Sequence, residues 1–116
     1  MSQEYVVVLC TAPTAAAAPK LSAHRLAEAL VEAGVCACVN VVPGVTSYYR
    51  WQGKVEKGDE LLLVIKTLRR AVPDLLDRIA AWHPYEVPEV LELGVDGGSR
   101  QYLAWLRDSV GPAEEP

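Results

Sequence analysis

The stretch Glu60-Leu61-Leu62-Leu63-Val64-Ile65-Lys66-Thr67 holds five consecutive aliphatic residues between charged and polar ends. A short continuous apolar run of this kind is what a strand buried on both faces requires. One other stretch has the same character, Tyr5-Val6-Val7-Val8-Leu9-Cys10-Thr11. We place the two side by side at the centre of one sheet, and the remaining elements must arrange themselves around that pair.

Between the two runs the pattern changes period. Pro19 suits a first helical turn and Gly34 suits the position after a helix end, so a helix is expected from about Pro19 to Ala33. Its apolar stripe is Ala23, Leu26, Ala27, Leu30 and Val31, which leaves His24 on the solvent side. Val35 to Val42 reads as a strand, interrupted by Pro43-Gly44 and resumed from Val45 to Trp51 with aromatic and β-branched residues. Gln52-Gly53 signals a turn, Lys54-Val55-Glu56 returns, and Lys57-Gly58-Asp59 reads as a second turn, which makes an extra hairpin element. After the central run, Pro73 and Asp74 open a second helix, from about Val72 to Trp82, with Leu75, Leu76, Ile79 and Ala80 as its buried stripe. His83-Pro84-Tyr85-Glu86-Val87-Pro88-Glu89 then forms a stiff, extended connector, because each proline fixes its own φ and keeps the preceding residue out of the helical region. Glu89 to Val95 alternates as an edge strand does. Ser99 caps a third helix carrying Tyr102, Leu103, Leu106 and Val110, and the tail from Gly111 is expected to be disordered.

The order is β-α-β-β-α-β, with the hairpin element and a C-terminal helix added. Right-handed crossovers with the two apolar strands central give an α+β, ferredoxin-like sandwich whose two helices cover one sheet face. The other face has little chain left to cover it. The strand around Tyr48, Tyr49 and Trp51 is also too apolar for a monomer's edge. Exposed apolar sheet surface of this sort implies self-association.

The totals agree with one such domain, taken as residues 1–110, with 111–116 as the tail. The chain has 116 residues, 51% hydrophobic and 22% charged, which is a globular composition. A net charge of -4 without blocks of like charge argues against nucleic acid as a partner. No apolar run approaches a membrane span, and no basic leader precedes the first strand, so a cytoplasmic protein is expected. The three cysteines, Cys10, Cys36 and Cys38, are expected as free thiols. There is no nucleophile elbow, phosphate loop or dinucleotide fingerprint, so the chain reads as a non-enzyme with no organic cofactor.

Four stretches together carry a resemblance: Val-Val-Val-Leu-Cys-Thr-Ala-Pro (6–13), Ala-Cys-Val-Asn (37–40), Ser-Tyr-Tyr-Arg-Trp-Gln-Gly-Lys (47–54) and His-Pro-Tyr-Glu-Val-Pro-Glu (83–89). Glu60, Lys66-Thr67 and Tyr-Leu-x-Trp-Leu (102–106) follow in the matching order. From Tyr5 to Val110 the chain resembles the CutA family of divalent-cation tolerance proteins. The resemblance implies a ferredoxin-like subunit, a tight homotrimer, binding of copper or another divalent metal, and kinship with PII-type signalling trimers. It also implies metal donors. Cys10 matches a proposed copper ligand of some members, and His83 matches the second of two adjacent histidines. Trp82 stands where those members have the first. Thiolate and imidazole together suit copper or zinc rather than magnesium or calcium. In the resembling trimers, residues such as Trp51, Glu60, Lys66, His83, Tyr85 and Glu89 gather at clefts between subunits. Such a group could take a small anion or a metal-bound ligand, as a PII-like signalling module would, or lock the trimer as an ion-pair network.

Overall fold

In a computed structural model, residues 4–112 are described. The elements are β1 (Tyr5–Ala12), α1 (Ala23–Glu32), β2 (Cys38–Trp51), β3 (Lys54–Leu68), α2 (Val72–Trp82), β4 (Val90–Gly94) and α3 (Arg100–Ser109). A 3-10 turn, Arg69–Ala71, leads into α2. The four strands form one antiparallel sheet in the order β2-β3-β1-β4. The two aliphatic runs are therefore the two central strands, paired from Tyr5 opposite Leu68 to Ala12 opposite Leu61.

Strand alternation sends Val6, Val8, Cys10, Ala12, Leu61, Leu63 and Ile65 to one face, where all are buried. They pack with Ala23, Leu26, Ala27 and Leu30 of α1 and Val72, Leu75 and Ile79 of α2 in one core. The opposite face carries Val7, Leu9, Leu62 and Val64, none of them fully buried. α3 covers only one end of that face, where Leu106 and Val110 pack with Tyr5, Ala37, Leu68 and Ala71. Its start is capped as expected, since the Ser99 Oγ accepts from the Tyr102 amide at 3.3 Å.

The structure differs from the sequence reading in four places. Lys57-Gly58-Asp59 is not a turn. β2 and β3 are one long hairpin of 14 and 15 residues, closed at Gln52-Gly53 and broken only by a register shift between Val42 and Val45. Gly58 lies within β3, paired with Ser47, and a Cβ there would meet the Tyr49 ring only at ordinary contact distance, 3.9 Å. The extra hairpin element is thus the outer half of the central hairpin. α1 begins at Ala23, not Pro19, because the preceding loop bonds elsewhere: the Leu21 amide donates to the Trp82 carbonyl at 2.9 Å and Lys20 Nζ to the Ala81 carbonyl at 3.0 Å. These are carbonyls that the end of α2 leaves without intrahelical partners. β2 begins at Cys38 rather than Val35. Finally, Leu76 and Ala80 of α2 and Val31 of α1 face outward, because the core takes only the narrower stripes.

The expected tail starts from a pinned residue. The Gly111 amide donates to the Gly34 carbonyl at 2.8 Å, and its own carbonyl accepts from Arg70 at 2.7 Å. Residues 113–116 of that tail lie outside the described residues, as do 1–3.

Candidate functional site: the groove beside the His-Pro-Tyr connector

α2 ends at Trp82, and His83 takes extended dihedrals (φ -72°, ψ 136°), as the residue before a proline should. The His83 amide still closes the helix on the Ile79 carbonyl at 2.8 Å. The side chain turns inward and is 1% exposed. β4 pairs with β1 only as far as Cys10, opposite Val90. One residue further along β1, the Thr11 carbonyl is met by His83 Nε2 at 2.7 Å. The other ring nitrogen, Nδ1, accepts from the Tyr85 amide at 3.0 Å. A carbonyl accepts only, so Nε2 carries the proton and the ring is the neutral Nε2–H tautomer. His83 therefore ties β1 to the connector with both nitrogens engaged. Burial lowers its pKa below 6.5; the Thr11 bond and Glu60 act against that shift, and Lys20 acts with it.

Tyr85 follows, its ring 4.7 Å from the His83 ring. Its hydroxyl donates to the Glu60 carboxylate, and burial together with that carboxylate pushes its pKa up to about 12. Beyond it opens a groove of about 650 Å³. One wall is the hairpin, with Tyr48, Tyr49 and Trp51 of β2 and Glu60 of β3. The other is the connector, with Tyr85, Glu86 and Glu89. Of the six residues read from the sequence as a cleft, the structure brings Trp51, Glu60, Tyr85 and Glu89 to this groove, while His83 is buried next to Tyr85 without lining it. Lys66 is elsewhere. It sits six residues along β3 from Glu60, about 20 Å at strand rise, and its Nζ donates to the Val64 carbonyl at 3.3 Å. Sequence reasoning left Tyr48, Tyr49 and Glu86 out of the site, and only the folded hairpin shows that they share the groove.

Cys10 belongs to the helix-covered core and is fully buried. Burial pushes its thiol up to about 12, with Glu89 and Glu60 adding to the shift. Trp82 also packs against the core, with the Arg78 guanidinium 5.4 Å from its ring. Cys36 is a buried thiol, likewise near 12 through burial and Cys38, with Lys66 opposing; Cys38 is only partly buried. Among the described residues, no three His, Cys, Asp or Glu side chains converge as metal ligands would.

An antiparallel β2-β3-β1-β4 sheet with two helices on one face, a mostly bare second face and a groove beside a His-Pro-Tyr connector defines an α+β, ferredoxin-like sandwich. Comparison with known proteins makes this specific. Residues 6–109 match the family model described as CutA1 divalent ion tolerance protein. The chain is 50% identical over 105 residues to the divalent-cation tolerance protein CutA of Thermus thermophilus, covering 90% of this chain and 97% of that one. The solved Thermus thermophilus CutA1 structure superposes with a TM-score of 0.83 at 48% identity, over 92% of this chain and 99% of that one. A PII-like protein CutA from Nostoc gives 0.80 at 31% identity, covering 91% and 97%. A CutA from Archaeoglobus fulgidus, described as periplasmic, gives 0.82 at 28%, covering 92% and 99%. The chain belongs to the CutA1 divalent ion tolerance family.

Proposed function

We propose that this chain is a non-enzymatic subunit of a homotrimer serving divalent-cation tolerance in the cytoplasm, and that it acts through clefts where subunits meet. The observation that carries this reading is the half-covered sheet. Val7, Leu9, Leu62 and Val64 lie on the face that α3 only partly reaches, and Leu91 and Leu93 extend it onto the edge strand at 55% and 49% exposure. The hairpin adds Tyr48, Tyr49 and Trp51 at its outer end. Three copies packed about one axis would bury this surface in a closed ring. The groove then gains a wall from the next subunit. No helix among the described residues is long and apolar enough to cross a membrane. Light scattering tests the assembly: a mass of three subunits supports it, and a mass near 12.6 kDa at low micromolar concentration sinks it.

Copper is the finer form of the proposal, with Cys10 and His83 as donors by resemblance. Each has a competing occupation. The thiol must ionise against a pKa near 12, and His83 must release either Thr11 or the Tyr85 amide. Binding there has to open the end of β1 and must weaken as pH falls, since both donors shed protons. A copper titration decides this. Saturable binding at fixed stoichiometry, lost in the Cys10→Ala/His83→Ala protein, supports the pair. Equal affinity in that variant removes it.

A further inference from the structure

His83 holds the connector by a property of imidazole that makes the hold conditional. A neutral ring has one N–H and one free lone pair. Nε2 gives the N–H to the Thr11 carbonyl and Nδ1 offers the lone pair to the Tyr85 amide, so the ring has no donor or acceptor to spare. Pro84, between His83 and Tyr85, has no amide to take Tyr85's place.

Two soft donor atoms meet at this point. Cys10 Sγ lies 3.7 Å and His83 Nε2 2.7 Å from the same oxygen, the Thr11 carbonyl. Thiol and imidazole fit a copper- or zinc-like cation in kind. What ligation demands of His83 then follows from the tautomer. If Nδ1 becomes the ligating atom, the lone pair that received the Tyr85 amide is taken. If Nε2 does, its proton moves through solvent to Nδ1, as in the neutral imidazole that metals bind, and Nδ1 turns from acceptor to donor. The Tyr85 amide loses its partner in both cases.

Tyr85 passes that loss onward. Its ring stands 4.7 Å from that of His83, and its hydroxyl donates to Glu60. Glu60 lies opposite Val45, the first paired residue of the hairpin's outer half beyond the register shift. Pro84 and Pro88 stiffen the connector, so a displacement at the Tyr85 amide is carried along it rather than absorbed locally. The path runs from the end of β1 to the two walls of the groove, where the proposed trimer brings its next subunit. Every bond in it lies within one chain, so burial of the groove by that subunit leaves it intact.

We infer that His83 is a tautomer switch: capture of a soft cation by the ring frees the Tyr85 amide, loosens Tyr85 from Glu60 and so links cation occupancy to the seam between subunits. The inference rests on the Cys10 and His83 form of the proposed function and adds the regulation of that site.

The probe is zinc chloride, a diamagnetic cation, titrated into the isotope-labelled full chain and followed by NMR, with light scattering on the same samples. As zinc shifts the His83 ring nitrogen resonances, the Tyr85 amide should exchange with solvent about tenfold faster or more. Linkage is reciprocal, so Tyr85→Phe, which lacks the hydroxyl that grips Glu60, should bind zinc about threefold tighter or more than the parent. Glu28→Gln, on the exposed side of α1, should bind as the parent does. The dilution midpoint of the trimer should move with zinc in the parent and stay unchanged in His83→Gln. Zinc on the His83 ring with the Tyr85 amide still protected would overturn the switch and leave the metal site standing. Zinc that leaves the His83 ring unmoved would overturn both the switch and the pairing of Cys10 with His83. Release of the Tyr85 amide in a particle of one-subunit mass would uphold the switch within the chain and refute the trimer.

Discussion

Replacing His83 with alanine should be among the most destabilising single changes available on this connector. The ring is 1% exposed and joins two backbone groups, the Thr11 carbonyl at 2.7 Å and the Tyr85 amide at 3.0 Å. A buried acceptor left without a donor costs about 1–3 kcal/mol, and the partly buried amide adds about 0.5–1.5 kcal/mol. The total is roughly 1.5–4.5 kcal/mol before any cavity is counted, which for a domain of this size lowers Tm by roughly 6–18 °C. Two partial replacements divide the effect. His83→Gln places an N–H near the position of Nε2 and should keep the Thr11 bond. His83→Asn places an oxygen near the position of Nδ1 and should keep the Tyr85 bond. Urea unfolding of the three variants gives the order Gln or Asn above Ala, and the Tyr85 amide resonance should move in Ala and Gln but hold in Asn. The pH dependence follows from the same ring. Its folded pKa is depressed, so the stability that neutral His83 contributes is complete above about pH 6.5. It is lost as pH falls through the lower folded value, where the proton displaces the Tyr85 amide from Nδ1. His83→Gln should flatten that acid-side slope. An alanine variant within 0.5 kcal/mol of the parent, with an unchanged acid slope, would refute the clasp.

Two further outcomes are expected. Tyr49→Asp or Trp51→Glu should lower both the assembled mass in light scattering and Tm, because each places a charge on surface that the proposed trimer buries; unchanged mass in both variants would remove the hairpin from the interface. In mass-spectrometric alkylation at pH 8, Cys38 should react ahead of Cys10 and Cys36, whose thiols burial holds near 12; those raised values also mean that stability should decline as pH rises from about 9, and rapid native labelling of Cys10 would contradict its burial.

Much of the frame was legible without coordinates. Two aliphatic runs can satisfy both faces of a strand only at the centre of a sheet, so β1 and β3 had to be neighbours, and Pro84 and Pro88 had to stop α2. Trp51, Glu60, Tyr85 and Glu89 were grouped through the resemblance, and the fold brings the four to one groove within a single chain. What the sequence could not decide were features that depend on a distant partner. Gly58 reads as a turn signal until its pairing with Ser47 carries the strand straight through it. Lys20 and Leu21 read as helix until the open carbonyls of α2 are there to receive them. Lys66 shares a strand with Glu60, yet strand rise carries it about 20 Å away. Cys10 and His83 carry the right atoms for a soft metal, but their occupation by core packing and by two backbone hydrogen bonds is settled by tertiary contacts that no local pattern encodes.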